Sequence, residues 1–326
     1  MNRHTLLLIL PLVAIVIVSG CTGTGGGTGG NGVNVLDWRT DFTSVNSGEK
    51  IQLQLRVQNQ GDVTAKNVKA QITGIDLSEW RGFGVGSFFA EENLGNMLPF
   101  DPETKTPGEI KQRNFALQAP KQKQNIVLQY SPIIKISYNY ETFSEKPITL
   151  VDQDELRRLI QQGKSLPAKD SSQTKGPLTI AVTTGQFVKT GQSFGSGQVF
   201  DVFPVNIKIS NPGFGSGGSV VPPGVGDTFG FVGQNFNYPV QVEIKPPSGT
   251  QIRNTGVFGG DDCSSGTVTK ELFQGKETDI TCELEVTSPP AFREDRTIKI
   301  NLKYRFQTEA TTQITVIGTK DGLGFG

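Results

Sequence analysis

Apolar residues fall on every second position in two well-separated stretches of the chain. Ile51, Leu53, Leu55 and Val57 alternate with polar residues and run into Asn59-Gln60-Gly61, while Phe203, Val205, Ile207 and Ile209 alternate in the same way and run into Asn211-Pro212-Gly213. A period of two predicts a strand with one buried face, and Asn-x-Gly supplies residues that tolerate positive φ in a turn. The two strings superimpose without a gap. The strands that follow also match, with Val68, Ala70 and Ile72 against Val240, Val242 and Ile244. Gly108 precedes Leu117 at the spacing by which Gly275 precedes Leu284, which sets Cys282 opposite Phe115. Each copy then passes a proline (Pro120; Pro289 and Pro290) and closes on a strand pair, 134–140 with 148–151 in the first and 298–304 with 313–317 in the second. The chain is therefore an internal repeat. Roughly seven short alternating strands in each copy of just over 100 residues predict an all-β fold of two β-sandwiches.

One segment has a different period. Between the copies, Leu156, Leu159 and Ile160 form a single narrow apolar stripe, with Asp152 placed to cap the first turn, Glu155 three residues on as in a capping box, and Gly163 at the stop. The pattern predicts a short helix that docks on a sandwich, since such a length does not persist alone. Residues 164–177, with Ser171, Ser172 and Pro177, complete a helix and linker over 152–177. The two repeats then occupy 33–151 and 178–317, and 318–326 is a flexible tail.

The N-terminus sets the compartment. Arg3 precedes an apolar run from Leu6 to Val18, interrupted by Pro11, and then Ser19-Gly20-Cys21. Residues 1–20 have the form of a secretory signal peptide, with an apolar run shorter than the ~20 residues of a spanning helix. Val18-Ser19-Gly20-Cys21 resembles a lipobox, in which the Cys21 thiol is lipidated and becomes the membrane anchor. Residues 21–32 follow as the lipidated Cys and a Gly-rich tether. Eleven such residues have a root-mean-square span of roughly 17–20 Å and an extended reach of about 36–40 Å. The folded part should sit near a membrane on its extracytoplasmic side. Cys263 and Cys282 are then an even pair in an exported chain, which favours a disulfide.

Composition narrows the chemistry. His4 is the one histidine and lies in the signal segment, so the chain after residue 20 has none. Histidine-based hydrolases and His-ligated zinc sites are thereby excluded from the mature sequence, and no catalytic, metal or cofactor residues are assigned. Lys+Arg and Asp+Glu both number 31, which gives no reason to expect a nucleic-acid partner. Asp261-Asp262, and Asp101 with Glu103, lack the alternating oxygen ladder that calcium requires and read as solvated turns.

The 40 glycines concentrate in specific places. Besides the tether they space the aromatics of two insertions that break the repeat. One carries Trp80, Phe83, Phe88 and Phe89, and the other Phe214, Phe229, Phe231, Phe236 and Tyr238. Aromatics held between glycines either present contact area to a partner or fold back over the ends of the sandwiches.

The segment Asn46-Ser-Gly-Glu-Lys-Ile-Gln-Leu-Gln-Leu-Arg-Val-Gln-Asn-Gln-Gly-Asp62, with Val68-Lys-Ala-Gln-Ile72, resembles immunoglobulin-like domains of the CARDB type found in archaeal and bacterial surface proteins. The resemblance implies two tandem Ig-like antiparallel sandwiches and an extracellular adhesion or spacer role, and it brings no catalytic residues. The reading is a membrane-anchored, non-enzymatic binding, adhesion or complex-assembly module whose partner is an envelope protein or surface glycan. The alternatives are a carboxylate-dependent extracellular enzyme such as a glycan hydrolase, or a filament subunit.

Overall fold

A computed structural model of the chain describes residues 32–82, 91–191, 201–223, 237–253 and 261–319. Residues 1–31, on which the expected signal peptide, lipidated Cys21 and tether fall, lie outside the described residues, as do Phe83, Phe88, Phe89, Phe229, Phe231, Phe236 and residues 320–326.

The first repeat comprises β1 (Val33–Thr40), β2 (Ser44–Asn46), β3 (Lys50–Asn59), β4 (Ala65–Thr73), β5 (Arg81–Gly82), β6 (Glu91–Met97), β7 (Ile110–Gln118), β8 (Val127–Tyr130) and β9 (Ile133–Asp152). Helix α1 (Gln153–Gln161) follows, and then β10 (Ser172–Gln173), β11 (Thr179–Thr183), β12 (Val188–Thr190), β13 (Asp201–Ser210), β14 (Gly218–Val221) and β15 (Pro239–Lys245). The chain ends on β16 (Thr250–Ile252), β17 (Thr267–Glu271), β18 (Glu277–Val286), β19 (Arg293–Thr311) and β20 (Ile314–Ile317). The fold is all-β apart from this helix, among the described residues.

The repeat is real in the pairing. Sheet β1-β3-β7-β5 of the first half has its counterpart in β11-β13-β18-β16 of the second. Leu53 stands opposite Phe115 in one, and Val205 opposite Cys282 in the other. The alternation explains the layers: Leu53, Leu55 and Val57 are buried while Gln52 and Arg56 are exposed, and the buried set shares one core cluster with Ala70, Ile134 and Ile136 of the large sheet.

That large sheet runs β17-β15-β19-β9-β4-β6 and spans both repeats. Its centre is the antiparallel pairing of β9 with β19, unbroken from Ile133↔Thr311 to Val151↔Arg293. The two strands expected at 134–140 and 148–151 are therefore one. Two polar residues between them are buried with partners: Thr142 Oγ1 bonds the Tyr304 hydroxyl at 2.8 Å and Ser144 Oγ donates to the Ser172 carbonyl at 2.9 Å.

The last strand of each repeat lies against the other repeat. Residues 150–152 of β9 pair in parallel with β12 of the second repeat, and β20 pairs in parallel with β2 and antiparallel with β8 of the first. The match is residue for residue, since Val45 faces Val316 as Val188 faces Leu150. Residues 164–177 are equally tied down. β10 pairs with Ser144 and Glu145 of β9, and the Lys175 amide and carbonyl bond the Asp62 carboxylate and amide at 2.8 and 3.1 Å.

Helix α1 forms as its pattern predicts, with Asp152 accepting from the Asp154 amide at 2.8 Å and Gly163 at φ +66°. Glu155 does not complete a capping box. It pairs instead with Arg158 at 2.6 Å. Leu159 packs with Val151 and Leu166, whereas Ile160, read as part of the docking stripe, is 66% exposed.

Candidate functional site

The two repeats meet in an aromatic waist. Tyr138, Tyr140, Tyr304 and Phe306 alternate along the middle of β9 and β19, fully buried, with ring centroids 6.0 to 6.3 Å apart. Burial of a phenol is tolerated when its oxygen has partners, and each of these has them. The Tyr138 oxygen accepts from the Val33 amide at 3.0 Å, and the Tyr304 oxygen from the Leu178 amide at 3.3 Å. Tyr140 accepts from the Val63 amide at 3.2 Å and donates to the Lys175 carbonyl at 3.0 Å. Burial pushes all three phenols above the usual tyrosine range.

These bonds correct the alignment of the repeats. The sequence match sets Ile134 against Ile298 and therefore Tyr140 against Tyr304. In the structure Tyr138 and Tyr304 do the same work on the opening strands, and Ile72 faces Ile134 as Ile244 faces Ile300. Alternation is unchanged by a shift of two residues, so the pattern alone could not fix this register.

The Asn-x-Gly motifs also do something other than expected. Neither Gly61 nor Gly213 has positive φ. The buried asparagines carry the motif. Asn59 Nδ2 donates to the Val63 and Met97 carbonyls at 2.9 and 3.0 Å while its Oδ1 accepts from the Gly61 amide at 3.1 Å. Asn211 repeats the arrangement on Gly218, Gly275 and Gly213 at 3.3, 3.1 and 3.1 Å. Each carboxamide thus ties its strand end to two neighbouring segments.

The chain that precedes the fold reaches it at this waist. The Gly32 carbonyl accepts from the Gln60 amide at 2.8 Å, and a Cβ on Gly32 would stand 2.5 Å from the Tyr138 oxygen and 2.6 Å from Pro177. Only glycine fits there. Cys263 and Cys282 are joined in a disulfide with Cα atoms 5.9 Å apart, linking the turn before β17 to the middle of β18.

Among the aromatics of the two insertions, Trp80 is buried and stands edge-on to Tyr130 at 5.1 Å. It offers no surface to a partner, because β8 and its neighbours cover it. Tyr238 is half-buried against the core. Phe214 is 40% exposed, with the Lys276 ammonium 5.4 Å from its ring centre. The six other aromatics are outside the described residues.

Two concavities among the described residues are open to solvent and contain carboxylates. The larger, about 360 Å³, is lined by Lys245 to Ser248 and by Glu294 to Thr297 with Lys299. Its carboxylates are committed: Glu294 to Arg296 at 2.7 Å and Asp295 to Lys169 at 2.6 Å, and these bonds hold both below the usual carboxylate range. The smaller, about 270 Å³, lies over Asn59 and Gly108 and contains one carboxylate, Asp62, already bonded to the Lys175 amide. Asp101 and Asp262 cap their own turns through Thr104 and Ser264, and Asp261 pairs with Lys270. No group of three or more His, Cys, Asp or Glu side chains suited to a metal occurs among the described residues.

No family model and no curated protein matches the chain. Among solved structures, Spo0M, a sporulation control protein from Bacillus subtilis, aligns with 56% of this chain and 68% of its own, at 9% identity and a TM-score of 0.18. That likeness is too slight to carry an argument. No helix among the described residues is long and apolar enough to cross a membrane.

Proposed function

We propose that the chain is an exported, lipid-anchored surface protein of two immunoglobulin-like β-sandwiches that acts as a non-enzymatic binding, adhesion or complex-assembly module. The observation that carries this reading is the N-terminal order of apolar run, Ser19-Gly20-Cys21 and Gly-rich tract ahead of Gly32. Two further features support it. A disulfide between Cys263 and Cys282 suits an oxidising compartment, and Gly32 joins the fold against Tyr138, in the middle of the sheet that both repeats share, and Pro177. The lack of histidine after residue 20 and the paired state of the carboxylates in the two concavities suit binding rather than proton transfer. The partner class is an envelope protein or surface glycan.

The test is fractionation of cells expressing wild type and Cys21→Ala. Wild type is expected in the membrane fraction and Cys21→Ala in the soluble extracytoplasmic fraction. Equal partition of the two removes the anchor from the account.

A further inference from the structure

The smaller concavity sits where the chain ahead of the fold enters it. Gly32 touches its rim on two sides. The Gly32 carbonyl accepts from the amide of Gln60, a lining residue, and a Cβ on Gly32 would stand 2.6 Å from Pro177, two residues after Lys175, another lining residue. Phe100 reaches the same concavity from the connection between β6 and β7, with its amide on the Gly61 carbonyl at 3.4 Å. Phe100 is 39% exposed, and Pro107, which also lines the concavity, is exposed.

The charges on this concavity are one of each sign. Asp62 keeps one carboxylate oxygen on the Lys175 amide, while the Lys175 ammonium has no hydrogen bond or ion pair among the described residues. A layer of headgroups that each carry a phosphate and an ammonium is complementary to such a lining. The phosphate accepts from the lysine, and the ammonium meets the carboxylate or the face of an aromatic ring.

We propose that this concavity is a membrane-contact site, which seats the zwitterionic headgroups of the bilayer that holds Cys21. The inference rests on the anchored reading of the N-terminus. The length of chain ahead of the fold selects the bilayer as occupant. The Gly-rich residues between Cys21 and the fold have a root-mean-square span of roughly 17–20 Å, so the surface beside Gly32 is held next to headgroups. At about 270 Å³ the concavity is smaller than the ~300–1,000 Å³ of pockets that capture a free ligand. A tethered surface needs much less, because a short flexible link supplies an effective concentration of about 1 mM. A contact of only millimolar affinity is then about half occupied.

Headgroup quenching tests it. With the Cys263–Cys282 disulfide intact, Cys21 is the one free thiol of residues 21–326. That chain is coupled through Cys21 to a maleimide lipid in phosphatidylcholine vesicles, some of whose lipids carry a nitroxide on the headgroup. Trp38 and Trp80 are buried and give a constant background. Phe100→Trp is expected to lose about half of its added emission. Phe292→Trp is expected to lose almost none, since Phe292 is exposed beside Asp152, about 40 Å along β9 from Tyr140 and its bond to Lys175. Lys175→Glu, added to Phe100→Trp, should bring the quenching down to that of Phe292→Trp. Lys175 bonds the fold through its main chain, and a melting curve matching its parent shows that the variant is folded. Equal quenching of Phe100→Trp and Phe292→Trp on vesicles that carry the coupled chain, or quenching of Phe100→Trp unaffected by Lys175→Glu, would overturn the proposal. Because the coupling is chemical, neither result depends on lipidation in the cell, which the fractionation of Cys21→Ala decides separately.

Discussion

The hydroxyl of Tyr138 accepts the buried backbone N–H of Val33 at 3.0 Å, and so fixes the first strand of the first repeat to the middle of the sheet that both repeats share. Tyr304 does the same for Leu178 at the start of the second. Phenylalanine would fill either site but leave a buried amide without an acceptor, which costs about 1–3 kcal/mol. Tyr138→Phe is therefore expected to be destabilised by that amount in urea unfolding, with the slope of the transition unchanged. A loss below about 0.5 kcal/mol would mean that the bond contributes little.

The exchanged end strands predict how the molecule unfolds. Because β20 completes the first half and the end of β9 completes the second, neither half is whole without the other. Asn59→Ala removes three hydrogen bonds of a fully buried side chain within the first repeat and should cost about 3 kcal/mol. Calorimetry should show the whole transition moving down as one peak. A peak that splits in two, with the second half unmoved, would show that the repeats fold independently.

The sequence revealed the repeat, the order of its strands, the helix and its stop at Gly163. It did not reveal the exchange of end strands, because alternation says that Ile148 and Ile314 lie in strands but not which neighbours those strands choose. Nor could it show β9 as a single strand, since buried Thr142 and Ser144 interrupt the apolar rhythm and are legible as core only once Tyr304 and Ser172 are seen beside them. Asn59 and Asn211 were legible as a shared motif, but their role was read as turn geometry when it is hydrogen bonding. For Trp80 the sequence leaves open whether the ring meets a partner or folds back over the sandwich, and only its burial against Tyr130 decides for the second.

Three buried tyrosines give stability a defined alkaline limit. Tyr138, Tyr140 and Tyr304 keep their protons in the fold above the usual range, chiefly because burial disfavours the phenolate. In the unfolded chain they ionise near pH 10. Above that pH the unfolded state binds fewer protons than the folded state, so stability falls as pH rises, by up to about 1.4 kcal/mol per pH unit for each tyrosine. The check is urea unfolding between pH 8 and 11, at about half-unit steps. Stability should be flat with respect to these groups below about pH 9 and fall above pH 10, less steeply in Tyr304→Phe.

Reduction of the Cys263–Cys282 disulfide opens a loop with a sequence separation of 19. In the chain-entropy picture that loop is worth about 3 kcal/mol. The reduced protein should melt at a lower temperature, and Cys282→Ala should match reduced wild type more closely than oxidised wild type. No change in melting on full reduction, verified by thiol titration, would show that the bond does not constrain the unfolded chain.

The account turns on Cys21. Intact-mass spectrometry of protein extracted from membranes with detergent measures directly what the N-terminus has become. The expected mass is that of residues 21–326 plus a lipid substituent, with a fragment spectrum that places the addition on Cys21. A chain that begins at Met1, or one cleaved elsewhere and carrying no lipid, would contradict the anchored reading.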